Sequence, residues 1–227
     1  MHHKIHTRKI LFSLIQLVTL LIGLVIAHLG VTLFIQTNLG SDPFNVFVQG
    51  SFRTLTKVAS VNWLTHGYTH ISISLCIILM LLVIDRSYIK IGTLICMALG
   101  GPIIDIFTTL LKDSINASMP FPLRVLTLCC GCIILAFGMT IVINSDAGTG
   151  PNDLVAIVIS DKIKRPFSMI RILVDAAFVV VGFLLGGTFG IGTIICAFLV
   201  GPVAGFFLPH TKKVILKIYQ KTSLPTT

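Results

Sequence analysis

Long apolar runs alternate along the chain with short polar joins rich in Gly, Pro, Asp, Asn and basic residues. Ile10 to Ile35 contains no Asp, Glu, Lys or Arg, and neither does Val125 to Asn144. Each run exceeds the roughly 20 residues that a helix needs to cross about 30 Å of hydrocarbon. The pattern predicts six spans over 10–36, 67–84, 91–111, 124–143, 167–185 and 191–208. Two shorter helices are expected at 43–52 and 151–161, each long enough to cover about half of the hydrocarbon. The first run has an apolar core about twice that of a signal peptide and no small-x-small cleavage site, so it is read as a retained span.

Composition agrees with an all-α polytopic membrane protein. The 227 residues are 55% hydrophobic and 11% charged, too few polar groups to cover a soluble surface. The net charge of +9 sits between the apolar runs and at the ends, where topology signals lie, so nucleic-acid binding is not expected. Lys212, Lys213, Lys217 and Lys221 interleave with Val214, Ile215, Ile218 and Tyr219. This predicts a basic amphipathic tail, 209–227, lying on an anionic cytoplasmic leaflet. All six cysteines fall in apolar segments, and Cys129, Cys130 and Cys132 on one helix would point apart, which favours packing over a metal site.

The chain also matches itself. Ile91, Gly92, Thr93, Ile95, Cys96, Leu99, Gly101 and Pro102 recur 100 residues later, eight of the twelve positions from Ile91 to Pro102. Upstream the offset is 108: Gly23, Gly30, Thr32 and Ile35 match Gly131, Gly138, Thr140 and Ile143, and Gly40 and Pro43 match Gly148 and Pro151. The expectation is two repeats, 10–111 and 124–208, each with three transmembrane helices and one short broken or re-entrant helix. The extra residues of the first copy are expected between Arg53 and His66. If the short helices re-enter, each repeat crosses three times and the copies are inverted. If they complete a crossing, the copies are parallel. Both obey the positive-inside rule; helix length favours three crossings.

The Gly-Pro breaks carry the most specific chemistry. Pro43 and Pro151 suit a first helical turn; Asp42, Ser41, Thr149 and Gly150 are N-cap candidates, and Asp153 complements a positive helix end. Paired broken helices in two repeats point to a solute site near the midplane. Its candidate lining is Gly40, Asp42, Pro43 and Asn45 with Gly148, Thr149, Gly150, Pro151, Asn152 and Asp153. Surface loops followed by interfacial helices are the competing reading.

Asp175 joins the candidates as an intramembrane carboxylate. Arg171, four residues before it, can pair with it or snorkel towards the cytoplasmic end. His28 reads as a hydrogen-bonded packing residue, His66 and His70 as interfacial, and Asp105 as a late-span carboxylate where the other copy has Gly205. The four repeated glycines read as a close-packing face. No hydrolase, zincin or nucleotide-loop motif occurs, so no enzyme activity and no cofactor are expected.

Gly148-Thr-Gly-Pro-Asn-Asp153 and Gly92-Thr…Gly101-Pro-Ile-Ile-Asp105 resemble motifs of the YczE/YyaS/YitT group of bacterial multi-pass membrane proteins, nearest the YczE branch. The resemblance covers most of 10–208 and implies a bacterial plasma membrane location. Phe44 and Asn152 depart from an expected Trp, and Cys96 and Cys196 from a polar residue. The reading is a transporter or channel for a small solute, both termini cytoplasmic; the alternative is a non-transporting scaffold for another complex.

Overall fold

A computed structural model describes residues 2–40, 42–59 and 66–223, with side chains over 10–40, 42–57 and 68–220. The described residues form helices α1 (His2–Gln36), α2 (Pro43–Ala59), α3 (His66–Ile84), α4 (Ile91–Leu111), α5 (Phe121–Asn144), α6 (Pro151–Ile163), α7 (Phe167–Leu184) and α8 (Ile191–Ser223). Five of them, α1, α4, α5, α7 and α8, contain stretches long and apolar enough to cross a bilayer, and α3 carries a shorter apolar stretch, Tyr68–Ile84. Val83, Ile91, Leu110, Phe198 and Leu184 all stand exposed on the outside. Water would penalise such a surface; hydrocarbon accepts it, so the chain is a membrane protein.

The core is the crossing of α1 and α5, and glycine makes it possible. A Cβ on Gly138 would come within 2.3 Å of the Ala27 nitrogen, and one on Gly30 within 2.3 Å of the Leu135 nitrogen. Gly23 faces Val142 at the far end. Contacts therefore rise along α1 as they fall along α5, which makes the two helices antiparallel. By the same test α4 runs with α1, since Gly92 meets Leu20 and Gly100 meets His28. α8 runs with α5, since Gly192 meets Leu128 and Phe137 packs on Phe207.

Both ends of this crossing are finished alike. After α1, Asn38 takes a left-handed conformation (φ 50°); after α5, Asp146 does (φ 60°). The hydroxyl of Thr37 donates to the Phe34 carbonyl at 2.7 Å, and that of Ser145 to the Val142 carbonyl at 2.6 Å. The carbonyl of Leu39 accepts from the Gly192 amide at 2.9 Å, and that of Ala147 from the Gly92 amide at 2.9 Å. Gln36 reaches the Thr108 carbonyl of α4 at 2.9 Å, while Asn144 reaches the Leu208 carbonyl of α8 at 3.0 Å. Gly40 (φ 149°) and Gly148 (φ 130°) then turn the chain where a Cβ would strike Thr193 and Thr93.

Two elements are longer than their sequence predicts. α2 continues past residue 52 to Ala59, which gives it about 25 Å, nearer a full crossing than half of one. Residues 60–65, within the stretch expected to hold the extra residues, lie outside the described residues. The expected surface tail is instead the last turns of α8, which passes through Pro202 and Pro209 without ending. Thr211, Ile215 and Tyr219 recur every fourth residue and are buried, while Lys212, Lys213 and Lys217 are exposed. The Tyr219 hydroxyl donates to the Ser145 carbonyl at 2.8 Å and its ring meets Phe12 edge-on at 5.1 Å. This anchoring along α1 and the end of α5 holds the segment in one helix rather than flat on a leaflet.

Candidate functional site

Pro43 and Pro151 begin α2 and α6 where a missing amide hydrogen costs nothing. In α2 the Asp42 carboxylate caps the first turn, accepting from the Asn45 amide at 3.2 Å and its side-chain nitrogen at 2.5 Å. In α6 the cap is Gly150, with no side-chain hydrogen bond, and Asp153 supplies the negative charge in the first turn. Ser41 lies outside the described residues. Although the two turns are far apart in sequence, both open into one cavity of about 500 Å³. Its walls include His28 of α1, His70 and Ser74 of α3, Gly101 of α4, Met139 of α5 and Cys196 of α8. His28, Ser74 and Gly101 lie well inside their helices, while His70 and Cys196 stand one to two turns from the starts of theirs.

One cation holds the cavity's charged side together. The Arg171 guanidinium donates from Nη1 to Asp153 Oδ1 at 2.6 Å and from Nε to Asp175 Oδ2 at 2.9 Å. Arg171 is 7% exposed, so it does not snorkel out of the protein as its position near the start of α7 suggests. Burial removes solvation worth several kcal/mol per ion, and a guanidinium between two carboxylates restores part of it. The Asp153 carboxylate also accepts from the Asn152 side chain at 3.0 Å. The other oxygen of Asp175 is buried without a hydrogen-bond partner, as is the Thr149 hydroxyl. With Asp42 across the cavity, three carboxylates meet one guanidinium, a formal balance of −2 offset in part by the positive ends of two helices.

Most sequence candidates gather here. Asp42, Pro43, Asn45, Gly150, Pro151, Asn152 and Asp153 line the cavity. Gly40, Gly148 and Thr149 stand behind it as the turn that delivers each break, and Asp175 stands behind Arg171. Asp105 is exposed and stays apart, its neighbour Ile104 reaching the cavity instead. The three clustered thiols diverge: Cys132 is buried, Cys129 half-buried and Cys130 exposed.

Sequence reasoning missed two contributors. The ring of His70 meets Phe44 at 5.2 Å and lines the cavity beside Ser74. His66 and Phe167 open α3 and α7, so His70 and Ser74 stand in α3 where Arg171 and Asp175 stand in α7. A comparison of burial and helix register would have found them; a comparison of residue identities does not. His28 donates through Nδ1 to the Leu24 carbonyl at 2.7 Å, which fixes its tautomer and leaves Nε2 facing Gly100.

The family model described as a family of unknown function, DUF6198, matches residues 14–209. The chain is 27% identical to the uncharacterized protein YyaS of Bacillus subtilis over 85% of its length and 92% of the relative's. It is also 27% identical to the uncharacterized membrane protein YczE of the same organism, over 83% of each chain. An uncharacterized protein of Haemophilus influenzae is 27% identical over 83% of this chain and 81% of its own. No solved structure matches. The chain belongs to the DUF6198 family.

Proposed function

We propose that this DUF6198 member is a bacterial plasma membrane transporter or channel for a small solute, with its site where the two Gly-Pro breaks converge. The observation that carries this reading is the cavity itself: the first turns of α2 and α6 open into it beside the ion pair of buried Arg171 with Asp153. Buried charge inside apolar helices is costly and is retained chiefly where it binds or conducts something polar. Helix starts in such a position offer amide groups that lipid cannot satisfy but a solute or water can.

We further infer two inverted repeats, α1–α4 and α5–α8, each crossing the membrane three times. The antiparallel α1 and α5, together with the hydrogen bonds repeated at offsets of 108 and 100, support this. With Lys4, Arg8 and Lys9 on the cytoplasmic side, both termini are cytoplasmic. Exposed Lys212, Lys213 and Lys217 then meet anionic lipid at that face.

Proteoliposomes charged with a panel of small amines, carboxylates and neutral solutes test the reading. Flux of at least one class is expected, and Pro43→Ala, Pro151→Ala and Asp153→Asn should each abolish it while the protein still inserts. Flux unchanged in all three variants contradicts the assignment of the site.

A further inference from the structure

Among the described residues, the exposed walls of the cavity lie on α3 and α4. In the second half of the chain the seam between α7 and α8 is shut: a Cβ on Gly201 would lie 2.7 Å from the Ser168 carbonyl and 3.0 Å from Ile172. Its counterpart Gly101 has nothing within 4 Å. α7 packs along α8, whereas α3 and α4 are joined through the 3-10 turn Arg86–Tyr88 and do not pack along each other. The exposed residues among the cavity's walls, Ile71 on α3 and Ala98, Gly101 and Pro102 on α4, sit on the two sides of that gap. The outer surface around it is apolar, with Leu75, Leu79, Leu94 and Ile106 exposed. Such a mouth opens onto lipid tails and not onto water.

What enters there must tolerate hydrocarbon and still satisfy the charge inside. The walls beside the gap are apolar (Ile71, Met97, Ala98, Pro102), and about 500 Å³ is room for a compact organic molecule. At the inner end the carboxylates outnumber the guanidinium, which already pairs with both Asp153 and Asp175, and Asp175 keeps one buried oxygen without a partner. An anion would find repulsion; a cation would restore balance. Asp42, just before α2, faces the cavity with its carboxylate accepting from Asn45.

We propose that the cavity takes an amphiphilic organic cation directly from the bilayer through the gap between α3 and α4, its charged head held on the Asp42–Asp153 side. This rests on the cavity being a solute site, and it adds the solute's class and route.

Tetraphenylphosphonium and tetraphenylborate have the same shape and opposite charge, so they separate the sign of the site from its size. Equilibrium dialysis against the purified full chain should give saturable binding of the cation, at least about tenfold tighter than the anion. Gly101→Trp starts from a Cβ with nothing within 4 Å and puts an indole at the open seam, and should weaken cation binding about tenfold or more. Asp42→Asn keeps a good helix cap and removes only the charge, and should weaken binding to a similar degree, about tenfold. Equal binding of both probes, or cation binding indifferent to both substitutions, overturns the proposal. Flux of a different solute that fails in the Pro43 and Pro151 variants, with no cation binding, would leave the transporter reading standing and remove this one. Cation binding lost in Gly101→Trp, with no flux of any solute, would do the reverse.

Discussion

Gly101 and Gly201 hold the same place in two helices that begin with the same Ile-Gly-Thr and carry the same Gly-Pro. One is packed against a neighbouring helix and the other faces open space. The polar pairs behind them differ in the same sense. α7 carries Arg171 and Asp175, buried and ion-paired, where α3 carries His70 and Ser74. Away from the seams, the two halves agree in small detail, down to the left-handed residue and buried hydroxyl that end α1 and α5. The two halves thus share their helix ends and differ at their seams: Arg171, Asp175 and the packed Gly201 lie in the second, and the unpacked Gly101 in the first.

The comparison breaks most visibly at Arg171. Arg171→Met leaves the buried Asp175 and the half-buried Asp153 without their cation, and should cost about 3–5 kcal/mol in a detergent melting experiment. His70→Met, at the corresponding place in α3, removes a half-buried ring packed on Phe44 and should cost markedly less. Equal losses would show that the two seams are energetically alike.

The glycines sharpen it next. Gly201→Leu must displace Ser168 or Ile172 and should lower stability by about 1–3 kcal/mol. Gly101→Leu enters open space and should stay within about 0.5 kcal/mol of the parent. A smaller difference belongs to the ends of the crossing. Tyr219→Phe removes the hydrogen bond to the Ser145 carbonyl and should cost about 0.5–1.5 kcal/mol.

The smallest effect is at Asp85, in the exposed turn between α3 and α4. Hydrogen bonds from the Ser87 side chain and amide hold its carboxyl below the usual carboxylate range. The turn is therefore supported above the ordinary value of about 3.9 and loses that support as pH falls through the lower folded value. The Ser87 amide resonance, followed by pH titration, should move with a midpoint below about 3.9; a midpoint above it contradicts the cap.

Much of this was legible in the residues. The apolar runs mark the helices, five of them long enough to cross a bilayer, and the two Gly-Pro breaks mark the starts of α2 and α6. Arg171 was harder, because an arginine four residues into an apolar helix reads as a snorkelling end group. Its partner Asp153 is remote in sequence, on another helix, and only the tertiary fold brings them together. The last turns of α8 were hidden by Pro209 and the lysines, which read as an end and a solvated tail. The signal was the fourfold spacing of Thr211, Ile215 and Tyr219, which marks one buried stripe on a continuing helix. Nothing in residue identity separates the open Gly101 from the closed Gly201, since the difference lies in what the neighbouring helix does.

The central claim is that two halves of opposite direction bring their breaks to one cavity, and sidedness tests it most directly. A reporter inserted near Asn116, between α4 and α5, would be read in intact cells together with tags on both termini. Both termini are expected inside and Asn116 outside. A reporter at Asn116 on the same side as the N-terminus would make the halves parallel and contradict it.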